Sequence, residues 1–329
     1  MKTRARRGIL LALLLLLAAG SIALYAGKKT MKHTASFPAM GTVATLTLYT
    51  DEARFLKALE SVREEFALVT ALADFRNPES ELARLNAEAA QAPFVCSGQM
   101  WELLTGARKA YALSEGAFDI SVKPLLDHWG FYRKKAKKIP PAPETEKIRQ
   151  LTGLSQITFD DSRQTVFFPR KGFALDLGGI AKGYAIEKAA QRVIALGITR
   201  GVIDLGGNLR LLPEPPPGKK FYSIGIRRPS QKKGGVMPEI LRLKGDRAVS
   251  SSGDYERFVI LENKKFGHII DPATGIPAPG KRAVTAVAPS GTLSDWLSTA
   301  VYLRGSKMAD KLKKEVPDTQ FFIIDKEKF

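Results

Sequence analysis

Three short stretches of this chain concentrate residue types that can do chemistry. The first is Asp176-Leu-Gly-Gly-Ile-Ala-Lys182-Gly183, at a strand-to-helix junction in the apolar pattern. Glycines let backbone N–H groups approach an anion, a helix start leaves such groups unpaired, and Lys182 adds positive charge. The glycine spacing matches neither a Walker A loop nor a dinucleotide fingerprint. A phosphate contact is therefore one reading, and an ordinary glycine turn capped by Asp176 is the other. The second stretch, Ser294-Asp295-Trp-Leu-Ser298-Thr299, opens a predicted helix. Asp295 and Thr299 are four apart and share a face. A carboxylate beside a hydroxyl suits a hard cation that takes its other ligands from carbonyls, phosphate and water. Helix capping by Ser294 or Asp295 would explain the same residues. The third is His268-Ile-Ile-Asp271-Pro272-Ala-Thr274-Gly275. Of the three histidines, His268 beside this polar turn is the best-placed general base near neutral pH, unless it only holds the turn.

Smaller signals surround these. Met40-Gly41-Thr42, Ala117-Phe118-Asp119 and Trp129-Gly130-Phe131 place methionine or aromatics next to glycine turns. Such residues can flank a planar ring or simply fill a core. Other chemistries lose support. The chain has no Gly-x-Ser-x-Gly and no His-Glu-x-x-His. Cys96 is the only cysteine, so an intrachain disulfide, a thiolate metal cluster and a cysteine lipid anchor behind the N-terminal apolar run are all ruled out. The net charge is +18, which either attracts phosphorylated ligands, acidic partners or anionic lipid, or keeps the surface soluble. The basic runs at Arg133–Lys138, Lys219–Lys220, Arg227–Arg228 and Lys232–Lys233 lack aromatic interleaving or a recognisable motif. Nucleic acid is accordingly not an expected partner.

The elements that must position these residues read as mixed α and β. Thr42–Tyr49 alternates as a strand, and Glu52–Leu72 carries apolar residues at helical spacing. Asn77-Pro78-Glu79 reads as a helix start, Gln99–Leu113 as a helix closed by Gly116, and Lys134–Thr145 as a surface loop. Short strands are predicted at Ile157–Phe159, Val166–Phe168 and Phe173–Leu175. A helix over Ile180–Leu196 stops at Gly197. Val202–Leu205 and Leu209–Leu211 flank a Gly-Gly turn. Further strands are predicted at Tyr222–Ile226, Leu241–Leu243, Phe258–Leu261, Val284–Ala288 and Gln320–Ile324, with helices over Ser294–Leu303 and Ser306–Glu315. Nothing divides the chain into halves. The expected fold class is α+β: one catalytic domain of mixed sheets and helices over 37–329, after a linker at 28–36 and an N-terminal membrane anchor or signal segment at 1–27. In that segment Lys2, Arg4, Arg6 and Arg7 precede an apolar run from Gly8 to Gly27, close to the ~20 residues that span a bilayer. Its basic front keeps the N-terminus cytoplasmic and exports the rest.

Taken together, the motifs resemble the FAD:protein FMN transferase family, the ApbE-type flavin transferases, from about Phe37 to Gly305. The resemblance is carried by Ala39-Met40-Gly41-Thr42, Ser80-Glu81-Leu82-Ala-Arg84-Leu85-Asn86, Phe118-Asp119 with Trp129-Gly130-Phe131, Asp176 to Gly183, Gly206-Gly207-Asn208, Ser252-Gly253-Asp254-Tyr255, His268 to Gly275 and Asp295 to Thr299. It implies FAD contacts at Met40, Phe75, Ala117, Phe118, Asp119, Asp176, Lys182 and Ile270. Phe75 stands where the family often has a flavin-stacking tyrosine. It also implies Mg2+ held by Asp295, Thr299 and a backbone carbonyl near Gly179, with His268 in catalysis. The implied reaction moves FMN from FAD to a Ser or Thr hydroxyl of an acceptor protein and releases AMP. Acceptors in the family are typically flavoprotein subunits of membrane redox complexes, which suits a catalytic domain on the outer side of a bacterial inner membrane. A hydrolase releasing FMN and AMP, and a carrier that holds FAD unreacted, are the alternatives.

Overall fold

The computed structural model describes residues 30–132, 138–226, 239–253, 258–280 and 282–325. Its first unit is a hairpin of β1 (Met31–Ala39) and β2 (Thr42–Thr50), joined by Met40-Gly41. Both turn residues have positive φ, +48° and +72°, as a two-residue turn needs to follow the twist of its strands. In β2, Ala44, Leu46 and Leu48 alternate into the core. α1 (Glu52–Ala73) follows, with Asp51 accepting from the Arg54 amide and Phe55, Ala58, Val62, Phe66 and Val69 forming its buried stripe. α2 (Glu81–Glu88), β3 (Phe94–Val95), α3 (Gly98–Leu113), α4 (Lys123–His128), α5 (Ala142–Arg149), β4 (Thr158–Asp160) and β5 (Thr165–Phe167) lead to α6 (Ala181–Ala195). β6 (Gly201–Leu205), β7 (Asn208–Leu211), β8 (Tyr222–Ile226), β9 (Glu239–Leu243) and β10 (Arg247–Gly253) come next. Two small hairpins follow: β11 (Phe258–Leu261) with β12 (Lys264–Gly267), and β13 (Ile270–Asp271) with β14 (Ile276–Pro277). The described chain closes with β15 (Arg282–Ala288), α7 (Gly291–Arg304), α8 (Ser306–Glu315) and β16 (Gln320–Asp325).

The main sheet runs β1-β2-β6-β7-β10-β15-β16, antiparallel throughout and in strict chain order. Each excursion therefore returns beside the strand it left. The longest, between β2 and β6, carries most helices, and the one between β10 and β15 carries His268. Helices α1, α6 and α7 join one face of the sheet in the main apolar core. The β8–β9 hairpin covers the other face with Tyr222, Leu241 and Leu243 against Leu211, Val249 and Val287. A third cluster joins Leu125, Leu126 and Trp129 to Leu261 and Ile270.

Several expectations are corrected. Residues 31–36, read as linker, are β-strand. Outward-facing Thr34 and Ser36 bond Thr47 and Thr45 across the hairpin, so this edge carries little apolar signal. The second helix starts at Glu81, and its cap is Ser80, whose hydroxyl accepts from the Ala83 amide. Asn77 instead accepts from the Glu79 amide in a local turn. Within the predicted loop at Lys134–Thr145, residues from Ala142 onward already belong to α5. Phe173–Leu175 joins no ladder, because the Asn86 side chain takes both backbone groups of Leu175, at 2.7 and 3.0 Å. The N-terminal apolar run, Asp254-Tyr255 and the basic runs at 133–137, 227–228 and 232–233 lie outside the described residues. Among the described residues no helix is long and apolar enough to cross a membrane.

Candidate active site

The starts of α6 and α7 touch, and glycine is what permits it. A Cβ on Gly183 would overlap the Gly291 carbonyl oxygen and stand 2.6 Å from Asp295 Cβ, and a Cβ on Gly291 would overlap the Gly183 carbonyl in return. Two helix N-termini are thereby brought together around one buried carboxylate. Asp295 Oδ2 accepts from the Gly183 amide at 2.8 Å, and Oδ1 lies 3.8 Å from Lys182 Nζ. The capping reading of Ser294 and Asp295 is overturned. The cap is Ser290, accepting from the Leu293 amide at 3.3 Å, and Asp295 sits a turn inside the helix at 5% exposure. Ser294 bonds Ser250 on β10 at 2.8 Å, and Ser252 bonds Ser298 at 2.7 Å and Thr299 at 3.3 Å. These hydroxyl pairs fix α7 on the sheet with Asp295 and Thr299 turned to one side.

The Asp176 loop reaches the same place. Asp176 Oδ1 accepts from the Gly178 amide and Oδ2 from the Tyr132 hydroxyl, both at 2.7 Å. Its own amide donates to the Ile120 carbonyl at 2.7 Å. Gly179 lies under Phe118. A Cβ there would be 3.0 Å from Phe118 Cε2 and 3.9 Å from Thr299 Oγ1, so the Gly179 backbone runs beside Thr299. Asp295, Thr299 and that backbone offer hard oxygen donors and leave room for ligand oxygens. Among the described residues no group of three or more His, Cys, Asp or Glu side chains could hold a metal. A cation here would therefore need few protein ligands, as magnesium usually does.

Every residue that the resemblance assigns to FAD, the cation or catalysis lines one cleft of about 900 Å³. Met40 enters from the β1–β2 turn, held in a left-handed conformation that is uncommon for a methionine. Ala117, Phe118 and Asp119 follow the turn at Gly116, whose φ is +77°. Asp119 is engaged within the protein. Its Oδ1 accepts from the Ser121 amide and hydroxyl, and Oδ2 from the Leu154 amide. Burial pushes its carboxyl above the usual range despite these bonds. His268 is half-buried at the cleft wall, just before β13, which brings in Ile270. The other two histidines are placed elsewhere: His33 stacks on Phe55, and His128 lies 3.2 Å from the Thr145 hydroxyl. Trp129 is core. Its indole N–H donates to the Gly275 carbonyl at 2.9 Å.

The structure adds residues that the motifs did not single out. Tyr132 meets Phe75 edge-on at 4.5 Å between ring centroids, and the Lys123 ammonium lies 4.5 Å from the Phe75 centroid. Arg76 grips Asp74 and holds its carboxyl below the usual range. Asp204, in the second Asp-Leu-Gly-Gly, accepts from the Gly207 amide at 2.8 Å, and burial pushes it upward. That repeated tetrapeptide was the available signal for Asp204. Nothing local marked Tyr132, whose partner lies 44 residues on.

An α+β frame with two apposed helix starts, a buried carboxylate beside a lysine and an aromatic-walled cleft has the size and chemistry to suit a large phosphorylated ligand. The chain belongs to the ApbE family, whose model matches residues 40–323. It is 28% identical over 291 residues to the FAD:protein FMN transferase of Haemophilus influenzae, covering 86% of this chain and 83% of that one. It is 30% identical over 309 residues to the Treponema pallidum enzyme of the same name, covering 87% and 83%. The fold is similar to the crystal structure of the ApbE protein from Thermotoga maritima, with a TM-score of 0.81, 28% identity and coverage of 90% and 95%. It is also similar to the flavin transferase ApbE from Vibrio cholerae, with a TM-score of 0.78, 26% identity and coverage of 91% and 99%.

Proposed function

We propose that this protein is a Mg2+-dependent FAD:protein FMN transferase. The observation that carries the reading is the meeting of the α6 and α7 starts at Asp295 and Lys182 inside a cleft large enough for a dinucleotide. Met40, Phe75, Phe118 and Ile270 supply apolar and aromatic surface for the flavin, and Asp176 and Asp119 border it. Lys182, at the start of α6, steadies the pyrophosphate with its ammonium. Asp295, Thr299 and the Gly179 carbonyl would hold the cation, which when bound offsets charge on the phosphoryl oxygens. The acceptor's Ser or Thr oxygen attacks the FMN-side phosphorus, an O–P bond forms, the pyrophosphate bridge breaks and AMP leaves. His268 takes the hydroxyl proton. Positioning and electrostatics account for most of such a transfer.

The acceptor is a flavoprotein subunit of a membrane redox complex. Residues 1–27 hold the enzyme on the bacterial inner membrane, with the catalytic domain facing outward. The test is the intact mass of a candidate acceptor after incubation with the full-length enzyme in mild detergent, FAD and Mg2+. A gain of one FMN moiety, absent with Asp295→Ala, supports the reading. Free FMN and AMP beside an acceptor that stays unmodified would favour hydrolysis, and FAD that is bound but unconsumed would favour a carrier.

A further inference from the structure

The two halves of the candidate site rest on different parts of the molecule. Asp295 and Thr299 sit on α7, packed into the main core. His268 and Ile270 sit on the arm between β10 and β15, which touches the main core through Ile269 and Ala278 but packs Leu261 and Ile270 with Leu125, Leu126 and Trp129 in a separate small cluster. The reach of a base to the reacting hydroxyl depends on how these two units are held together. Arg304, in the last turn of α7, spans them. Its Nη1 and Nη2 donate to Asp271 Oδ2 and Oδ1 at 2.8 and 2.7 Å, a two-pronged guanidinium–carboxylate pair that fixes orientation as well as distance. Asp271 is also the organising residue of the arm's turn. Its Oδ1 accepts from the Ala273 amide at 3.0 Å, and its carbonyl accepts from Thr274 and Gly275. Both members of the pair are partly sheltered, with side-chain exposures of 31% and 22%. Leu303, beside Arg304, lines the cleft itself.

We infer that Arg304 is a positioning residue for the reaction: through Asp271 it sets His268 in register with Asp295 and Thr299. Arg304 touches neither substrate nor metal in this role. One helix thus fixes the cation end of the site with its middle turns and the proton-accepting end with its last turn. The inference rests on the transferase reading for its kinetic consequence, and on geometry alone for its structural one.

Two measurements on the full chain in mild detergent test it. The first is hydrogen exchange of the amides in residues 268–278, which needs no assumption about activity. In Arg304→Gln these amides should exchange faster than in the unaltered protein while those of α1 and α6 do not change, as a local opening requires. The second is FMN transfer to acceptor, with FAD affinity and thermal midpoint measured alongside. Arg304→Gln should lower kcat by about 10²-fold, the cost of a displaced catalytic group, while FAD affinity and the midpoint stay close to those of the unaltered protein. Arg304→Lys should recover part of kcat, and Asp271→Asn should reproduce the loss. Unchanged exchange in 268–278 would overturn the clamp whatever the reaction proves to be. Unchanged kcat, or kcat, affinity and midpoint all falling together, would reduce Arg304 to a stabilising residue. If the unaltered enzyme transfers no FMN, the transferase reading fails, and the exchange result still decides whether the clamp exists.

Discussion

Asp119 and Asp295 are both buried carboxylates at the cleft, and their surroundings set them apart. Asp295 has Lys182 and a helix-start amide close by. Asp119 is held by the Ser121 and Leu154 donors, and burial outweighs them in pushing its carboxyl upward. In the folded protein Asp119 therefore holds its proton to higher pH than in the unfolded chain. Its stabilising contribution is fully present below the ordinary aspartate range and is lost as pH rises through the raised folded value. Asp119→Asn removes that titration while keeping one acceptor for Ser121. Urea unfolding followed from pH 7 down into the ordinary aspartate range should show the unaltered protein gaining stability relative to the variant on acidification. Parallel trends in the two proteins would mean that Asp119 is not the titrating group.

At the scale of elements, the decisive contact is the crossing of α6 and α7. Gly183 stands in a motif that reads as an anion loop, yet its missing side chain serves helix approach, because Gly291 and Asp295 occupy the space a Cβ would need. Gly183→Ala should destabilise the protein by about 1–3 kcal/mol, the usual range for overpacking, and should separate Lys182 and the α6 amides from Asp295. A thermal melt together with FAD titration checks it; an alanine variant with unaltered midpoint and affinity would show that the helices have slack. Much of this level was legible in the sequence. The helices from Glu52, near Gln99 and near Ile180 carry full apolar stripes, and the latter two are followed by Gly116 and Gly197, so periodicity locates them. What failed was capping. Asn77 and Asp295 are good caps by type, but Ser80 and Ser290 fill the positions. Deciding between neighbouring cap residues requires knowing which amides are left unpaired, and that is a tertiary fact. Phe173–Leu175 failed for a related reason: the Asn86 side chain supplies the bonds a neighbouring strand would have made.

Across the whole molecule, the motifs converge on one cleft because the sheet keeps chain order and each excursion returns to its rim. The motif residues themselves could be found from sequence. Tyr132, Arg304 and Asp271 could not be given their parts, since each acts through a partner 33 or 44 residues away. A cleft whose walls run from Met40 to Leu303 has no counterpart in the unfolded chain, so a ligand seated there binds only the folded state. FAD at about 100 times its dissociation constant should then add about 2.7 kcal/mol of stability, which raises the thermal midpoint by several degrees in a domain of this size. If Asp295 and Thr299 hold a cation that also contacts the pyrophosphate, part of that rise depends on Mg2+ and disappears with a chelator. Asp295→Asn keeps an acceptor for the Gly183 amide but loses the charge, so it should retain the metal-independent part and lose the remainder. Melts with FAD alone, with FAD and Mg2+, and with FAD and chelator separate these contributions. An FAD-dependent rise that ignores both chelator and Asp295→Asn would remove the cation from this site, leaving Lys182 as the group that answers the pyrophosphate charge.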